Sequence, residues 1–275
     1  MNTQLFHIFR NTPLGRETLL QSIYFCNMTG ASLTVYIPEF TKFLMYFDNQ
    51  VVQVDLDSSF LSFPGTAEQH VTDLAATGDI DPVFFKPTNY TASTLPDIPV
   101  NFDYMCSPRS ISDLSSKIGL GHIGSKVRRI IKTAPFPVLI TSPAYKEWQS
   151  VTVFFGGSSN AVKALKLGFR LARSTGMPLN IFTQVEGRTT KAYCDEIIAG
   201  EKLTKELDKC VADWTFYDKG SFEENLYNVK HNSLVVLGAY GHGLIKDIFF
   251  GSKMEKIQST LMNNLLIAGP NYTLR

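Results

Sequence analysis

Residues 124–143, GSKVRRIIKTAPFPVLITSP, align without a gap on residues 251–270, GSKMEKIQSTLMNNLLIAGP, sharing Gly, Ser, Lys, Ile, Thr, Leu, Ile and Pro at matching places. An internal repeat constrains the fold more than any local propensity, because each copy is one structural unit. Apolar residues recur at helical spacing early in each copy (Val127, Ile130, Ile131, Ala134; Met254, Ile257, Leu261), and a short apolar run follows (Phe136 to Ile140; Leu265 to Ala268). Each copy therefore predicts a helix and then a buried strand at the end of a domain.

The beginnings of the two halves match more loosely. LFHIFRNTPLGRETLLQSIYFCNMTGASLTVYIPEF (5–40) and VTVFFGGSSNAVKALKLGFRLARSTGMPLNIFTQVE (151–186) each read as a strand, a polar turn, an amphipathic helix ending at Gly30 or Gly176, and a second strand. The second half continues with a polar helix over about 190–209, a strand over Val211 to Tyr217, a helix over about 221–230, and the strand Ser233 to Gly238. Strands alternating with helices, several of them continuous apolar runs, predict an α/β fold whose parallel sheets are covered on both faces. Two domains are expected, 1–145 and 146–275, with the seam near Pro143 to Trp148.

The first domain is the decorated copy. Phe43 to Phe47 and Val51 to Asp55, joined through Asp48-Asn49-Gln50, predict a β-hairpin insertion. Pro82, Pro87, Pro96, Pro99 and Pro108 predict irregular structure between them.

The charge balance excludes one class of partner. With 26 Lys+Arg against 25 Asp+Glu, nothing draws the chain to nucleic acid or an anionic membrane. No apolar run approaches the ~20 residues of a membrane span, and the polar N-terminus does not read as a secretory leader. Cys26, Cys106, Cys194 and Cys210 lack the spacing of a zinc knuckle or a redox dithiol, so reduced thiols in a cytoplasmic protein are expected.

The densest site signal is Gly238-Ala-Tyr-Gly241-His242-Gly243-Leu-Ile-Lys246-Asp-Ile-Phe-Phe-Gly251-Ser252-Lys253. It starts at the carboxyl end of a strand and finishes at the start of a helix, where open α/β sheets bind ligands. Glycines let main-chain N–H groups approach a phosphate, and a helix start adds orphan donors and partial positive charge. Ser252 could donate its hydroxyl, and Lys246 or Lys253 could add charge. A ligand-free account stands beside this one: Ser252-x-x-Glu255 is also a capping box, Gly238 and Gly241 also suit turns, and His242 also suits a surface turn.

The spacing Gly238-x2-Gly241-x9-Gly251-Ser252 resembles the nucleotide-binding signature of the universal stress protein family. The likeness runs over about 148–270 and more weakly over 1–143, so the chain resembles a tandem member. That resemblance implies two Rossmann-like, mostly parallel five-stranded sheets, paired through their last strands as an intramolecular pseudo-dimer. It implies ATP or another adenine nucleotide as ligand, with Gly238, Gly241, His242, Gly251 and Ser252 lining ribose and phosphates and Lys253 a candidate beside them; nothing bears on Mg. ATP-binding members carry an Asp at the end of the first strand, where Gly156 stands here, and Phe155 beside it either closes over a base or is core. Arg10 occupies the corresponding place in the first domain, which is expected to be structural.

No phosphate loop, nucleophile elbow or metal-binding helix motif is present, and no catalytic residue or metal ligand is assigned. The expected function is stress-response regulation through a nucleotide in the second domain. The alternatives are a nucleotide-free dimeric interaction module and a slow ATPase, and a homodimer would suit the apolar hairpin. Gly119-Leu-Gly121-His-Ile-Gly124 has the spacing of a dinucleotide fingerprint but lacks the apolar strand that should precede it; the repeat makes GSK at 124–126 the partner of GSK at 251–253.

Overall fold

The computed structural model describes residues 3–48, 50–56, 63–109, 111, 123–239, 257 and 260–273. The chain divides into two compact units, Met1–Glu147 and Trp148–Arg275.

The first unit opens with β1 (Gln4–Ile8), α1 (Pro13–Thr29) and β2 (Ser32–Tyr36). The Thr12 side chain caps α1 by accepting from the Gly15 N–H, and Pro13 sits in the first turn, where its missing N–H removes no bond. β3 (Lys42–Phe47) and β4 (Gln50–Asp55) form the hairpin read from the sequence, in register from Lys42 opposite Asp55 to Phe47 opposite Gln50. After α2 (Pro64–Ala76) come β5 (Val83–Phe85), β6 (Tyr90–Thr91), β7 (Leu95–Ile98) and β8 (Tyr104–Ser107). The proline-bearing stretch is irregular over about half its length, as expected, with these four short strands set between the irregular segments. Pro82, Pro87, Pro99 and Pro108 fall between strands, where their missing donors interrupt no ladder, and only Pro96 stands inside one.

The unit closes with α3 (Ser125–Thr133) and β9 (Val138–Ile140). Its main sheet runs β9-β8-β1-β2-β5 with every pair parallel, and a small second sheet runs β4-β3-β7-β6. Lys126 of α3 holds the hairpin, donating to Asp55 Oδ2 and to the Gln53 carbonyl, both at 3.0 Å.

The second unit consists of β10 (Ser150–Phe154), α4 (Ser159–Thr175), β11 (Leu179–Gln184), α5 (Lys191–Gly200), α6 (Thr204–Cys210), β12 (Val211–Tyr217), α7 (Phe222–Leu226), β13 (Ser233–Gly238) and β14 (Leu265–Ala268). The helix predicted over 190–209 is two helices, divided at a turn where Lys202 takes φ 57°. The helix predicted over 221–230 is the short α7, opened by a complete capping box between Ser221 and Glu224.

The sheet of this unit runs β12-β11-β10-β13-β14, parallel throughout. Strands β13 and β14 are buried almost completely, which explains their apolar runs. The chain travels outward from β10 to β12 and then returns to the other side of β10 as β13. The carboxyl ends of β10 and β13 therefore flank a topological switch point, where a crevice opens in folds of this kind.

Candidate functional site

The chain leaves β10 through Phe155-Gly156-Gly157-Ser158, and Ser158 caps α4 by accepting from the Ala161 N–H at 3.2 Å. The other wall of the crevice is the end of β13, Gly238, followed by Ala239. These two strand ends meet at the first turn of α4. A Cβ on Gly238 would stand 2.2 Å from the carbonyl oxygen of Asn160, and the Asn160 side-chain amide donates to the Ala239 carbonyl. Gly238 is therefore demanded by the close approach of α4 to β13, a packing reason that holds without any ligand.

On the β10 side the Phe155 ring is 2% exposed and lies edge-on to Trp214, centroids 5.8 Å apart. Trp214 donates its indole N–H to Thr183 Oγ1 at 2.9 Å, and Thr183 donates to the Phe155 carbonyl at 2.8 Å. The structure thus places Phe155 in the core, held by this relay. Gly156 is half-buried at the crevice. Gly157 has φ +75°, and a Cβ there would come within 2.5 Å of the Tyr193 ring. The Arg188 guanidinium stands over the same ring, 5.6 Å from its centroid.

Tyr193, Arg188 and Asn160 border the site without having been singled out from the sequence. Tyr193 lies a helix, a strand and a turn away from Gly157 along the chain, and no local pattern joins them. Of the residues expected to line a ligand, Gly156, Phe155 and Gly238 are placed as described, whereas Gly241, His242, Gly251, Ser252 and Lys253 lie outside the described residues. So do residues 119–122 of the dinucleotide-like stretch.

In the first unit, Arg10 is 6% exposed and donates to the Ile111 carbonyl at 2.8 Å. Burial lowers its basicity. His7 is wholly buried, contacts Ser22 Oγ through Nδ1 at 2.9 Å, and has its pKa pushed down to about 3, first by burial and then by the Arg10 charge. Burial raises the Cys26 thiol, and more modestly that of Cys106, up to about 12. Among the described residues no cluster of three or more His, Cys, Asp or Glu side chains is arranged to hold a metal, and no helix is long and apolar enough to cross a membrane.

No protein-family model matches the chain. A universal stress protein of Synechocystis sp. is 24% identical over 176 residues, 62% of this chain and 59% of that protein. The match thus spans less than two thirds of the relative's length. The crystal structure of a universal stress protein from Archaeoglobus fulgidus has a TM-score of 0.62 at 13% identity, over 98% of this chain and 97% of that one. A putative universal stress protein from Pseudomonas aeruginosa gives 0.56 at 10% identity, over 98% and 94%. At such identities the two structural likenesses speak for the fold.

Proposed function

We propose that this chain, by sequence likeness and fold a member of the universal stress protein family, binds an adenine nucleotide in its second unit and acts as a ligand-responsive regulator. The observation that carries this reading is the meeting of Gly156, Gly238 and the first turn of α4 at one switch point, with the glycine pattern of 238–253 leaving from it. Main-chain N–H groups at the start of a 17-residue helix and in a glycine-rich segment suit phosphate oxygens. Gly156 brings no carboxylate to the base, so the base rests on main-chain groups and on the surface that Tyr193 and Arg188 border.

Calorimetric titration of the full chain with ATP, ADP and AMP tests this. Saturable binding that is lost in Gly251→Val is expected; no heat at millimolar nucleotide overturns the reading. The absent carboxylate at Gly156 favours a second reading, a nucleotide-free interaction module, which that negative result would support.

A further inference from the structure

A fully covered parallel sheet should be apolar on both faces, yet one row crossing the second unit is polar. Thr152 of β10 lies opposite Asn180 of β11, and Asn180 lies opposite Asp213 of β12. The next row on the same face is largely aromatic: Phe154 opposite Phe182, then Thr215. Phe222 of α7 packs edge-on against Phe154 and Phe182, and so covers the aromatic row. Helix α7 is only five residues long, and beyond it the chain passes over the polar row as Asn228, Val229 and Lys230. Between this segment and the sheet lies a cavity of about 320 Å³, lined by these three residues with Thr152, Asn180, Ile181, Phe182, Asp213, Thr215 and Tyr217. That volume falls within the usual range for small-molecule sites.

One lining group carries the argument. The Asn180 Nδ2 is buried and has no hydrogen-bond partner among the described residues. Its neighbours are otherwise engaged: Thr152 Oγ1 bonds Ser233 Oγ at 2.7 Å, and Thr215 donates to Asp213 Oδ2 at 2.6 Å. A buried unsatisfied donor costs about 1–3 kcal/mol, so such groups call for an explanation. Asn180 itself lines the cavity, on a strand whose neighbouring residues Leu179, Ile181 and Phe182 are all buried and apolar.

We propose that this cavity binds a neutral polyhydroxyl compound of monosaccharide size. With its amide turned about the terminal torsion towards the cavity, Asn180 donates, as does the Lys230 ammonium; the Asp213 carboxylate and the Asn228 amide oxygen accept. A hydroxyl group does both, and so matches the mixed set. A phosphate would meet the Asp213 charge and an amine would meet Lys230, whereas an uncharged polyol meets neither repulsion. Phe182 and Tyr217, in tilted contact with centroids 4.6 Å apart, supply an apolar wall for its C–H face. None of Phe155, Gly156, Gly157, Asn160 and Gly238, which border the crevice at the switch point, lines this cavity, so the site does not rest on nucleotide binding there.

Saturation-transfer NMR on the full chain tests it, with glucose, ribose and myo-inositol as probes and inorganic phosphate and glycine as charged comparators. Saturable binding of at least one polyol is expected, weakened about tenfold or more in Asn180→Leu and in Asp213→Ala. Lys230→Ala, a change at an exposed position, gives a second weakened variant should the sheet substitutions disturb folding, which circular dichroism reports. No polyol binding at tens of millimolar, binding unchanged in all three variants, or a preference for phosphate or glycine overturns the proposal.

Discussion

The side-chain amide of Asn160 donates to the main-chain oxygen of Ala239, fastening the first turn of α4 to the chain as it leaves β13. One residue earlier, the backbone of Gly238 lies so close to Asn160 that no side chain fits between them. The glycine that opens the nucleotide-like pattern is thus also a packing residue, and the two roles separate by experiment.

Gly238→Ala is expected to lower the stability of the second unit by roughly 1–3 kcal/mol, since the obstructing atoms are backbone and cannot swing aside. Asn160→Ala should lower it by about 1–2 kcal/mol by leaving the Ala239 carbonyl unsatisfied. Urea denaturation without ligand measures both; a Gly238→Ala protein as stable as the parent would show that the close approach is not strained.

Gly157 offers a case in which two penalties come apart. Its φ of +75° disfavours any side chain, and the Tyr193 ring stands where a Cβ would go. Gly157→Ala should destabilise by about 1–3 kcal/mol in all. Adding Tyr193→Ala should remove the collision and leave the backbone part, about 1 kcal/mol. A double-mutant cycle by thermal unfolding checks this, and simple additivity would refute the contact.

Stability should fall on acidification because of His7. Its pKa is about 3 in the folded protein against 6.5 as a free side chain, so the neutral ring's contribution is complete above pH 6.5 and is lost as pH falls towards 3. The loss amounts to roughly 2 kcal/mol by about pH 5. Urea midpoints from pH 8 to pH 5 follow it, and His7→Gln should flatten that slope while lowering stability at neutral pH.

Trp214 is placed to report on the crevice. It packs on Phe155, adjoining Gly156, and is fastened through Thr183 to the Phe155 carbonyl. Nucleotide binding at the switch point should change its fluorescence by tens of per cent, on the order expected when an indole's packing shifts. Trp214→Phe should abolish the change, because Trp148 is buried elsewhere in the unit at 1% exposure. Thr183→Val should weaken the relay by about 1 kcal/mol.

Much of the architecture is readable along the chain because its signals are local. β13 and β14 begin and end where apolar runs meet turn residues, and Gly30 and Gly176 close α1 and α4 in the left-handed conformation. The hairpin of β3 and β4 announces itself by two apolar stretches around a polar turn. The strands β5 to β8 do not, since a strand of two to four residues carries too few positions for alternation to stand out from its prolines. The break between α5 and α6 is equally silent: Lys202 is no recognisable helix breaker, and its positive φ arises from the turn it occupies.

By itself the sequence determined the repeat, the alternation of strand and helix, and the glycine pattern that leaves β13, because spacing along one chain encodes each of them. Only the tertiary structure decided that Phe155 is core, that Tyr193 lies against Gly157, that Asn160 locks Ala239, and that Thr152, Asn180 and Asp213 form a polar row. Those relationships join residues from separate strands and helices. They arise from sheet register and helix packing, which bring together side chains that no local pattern couples.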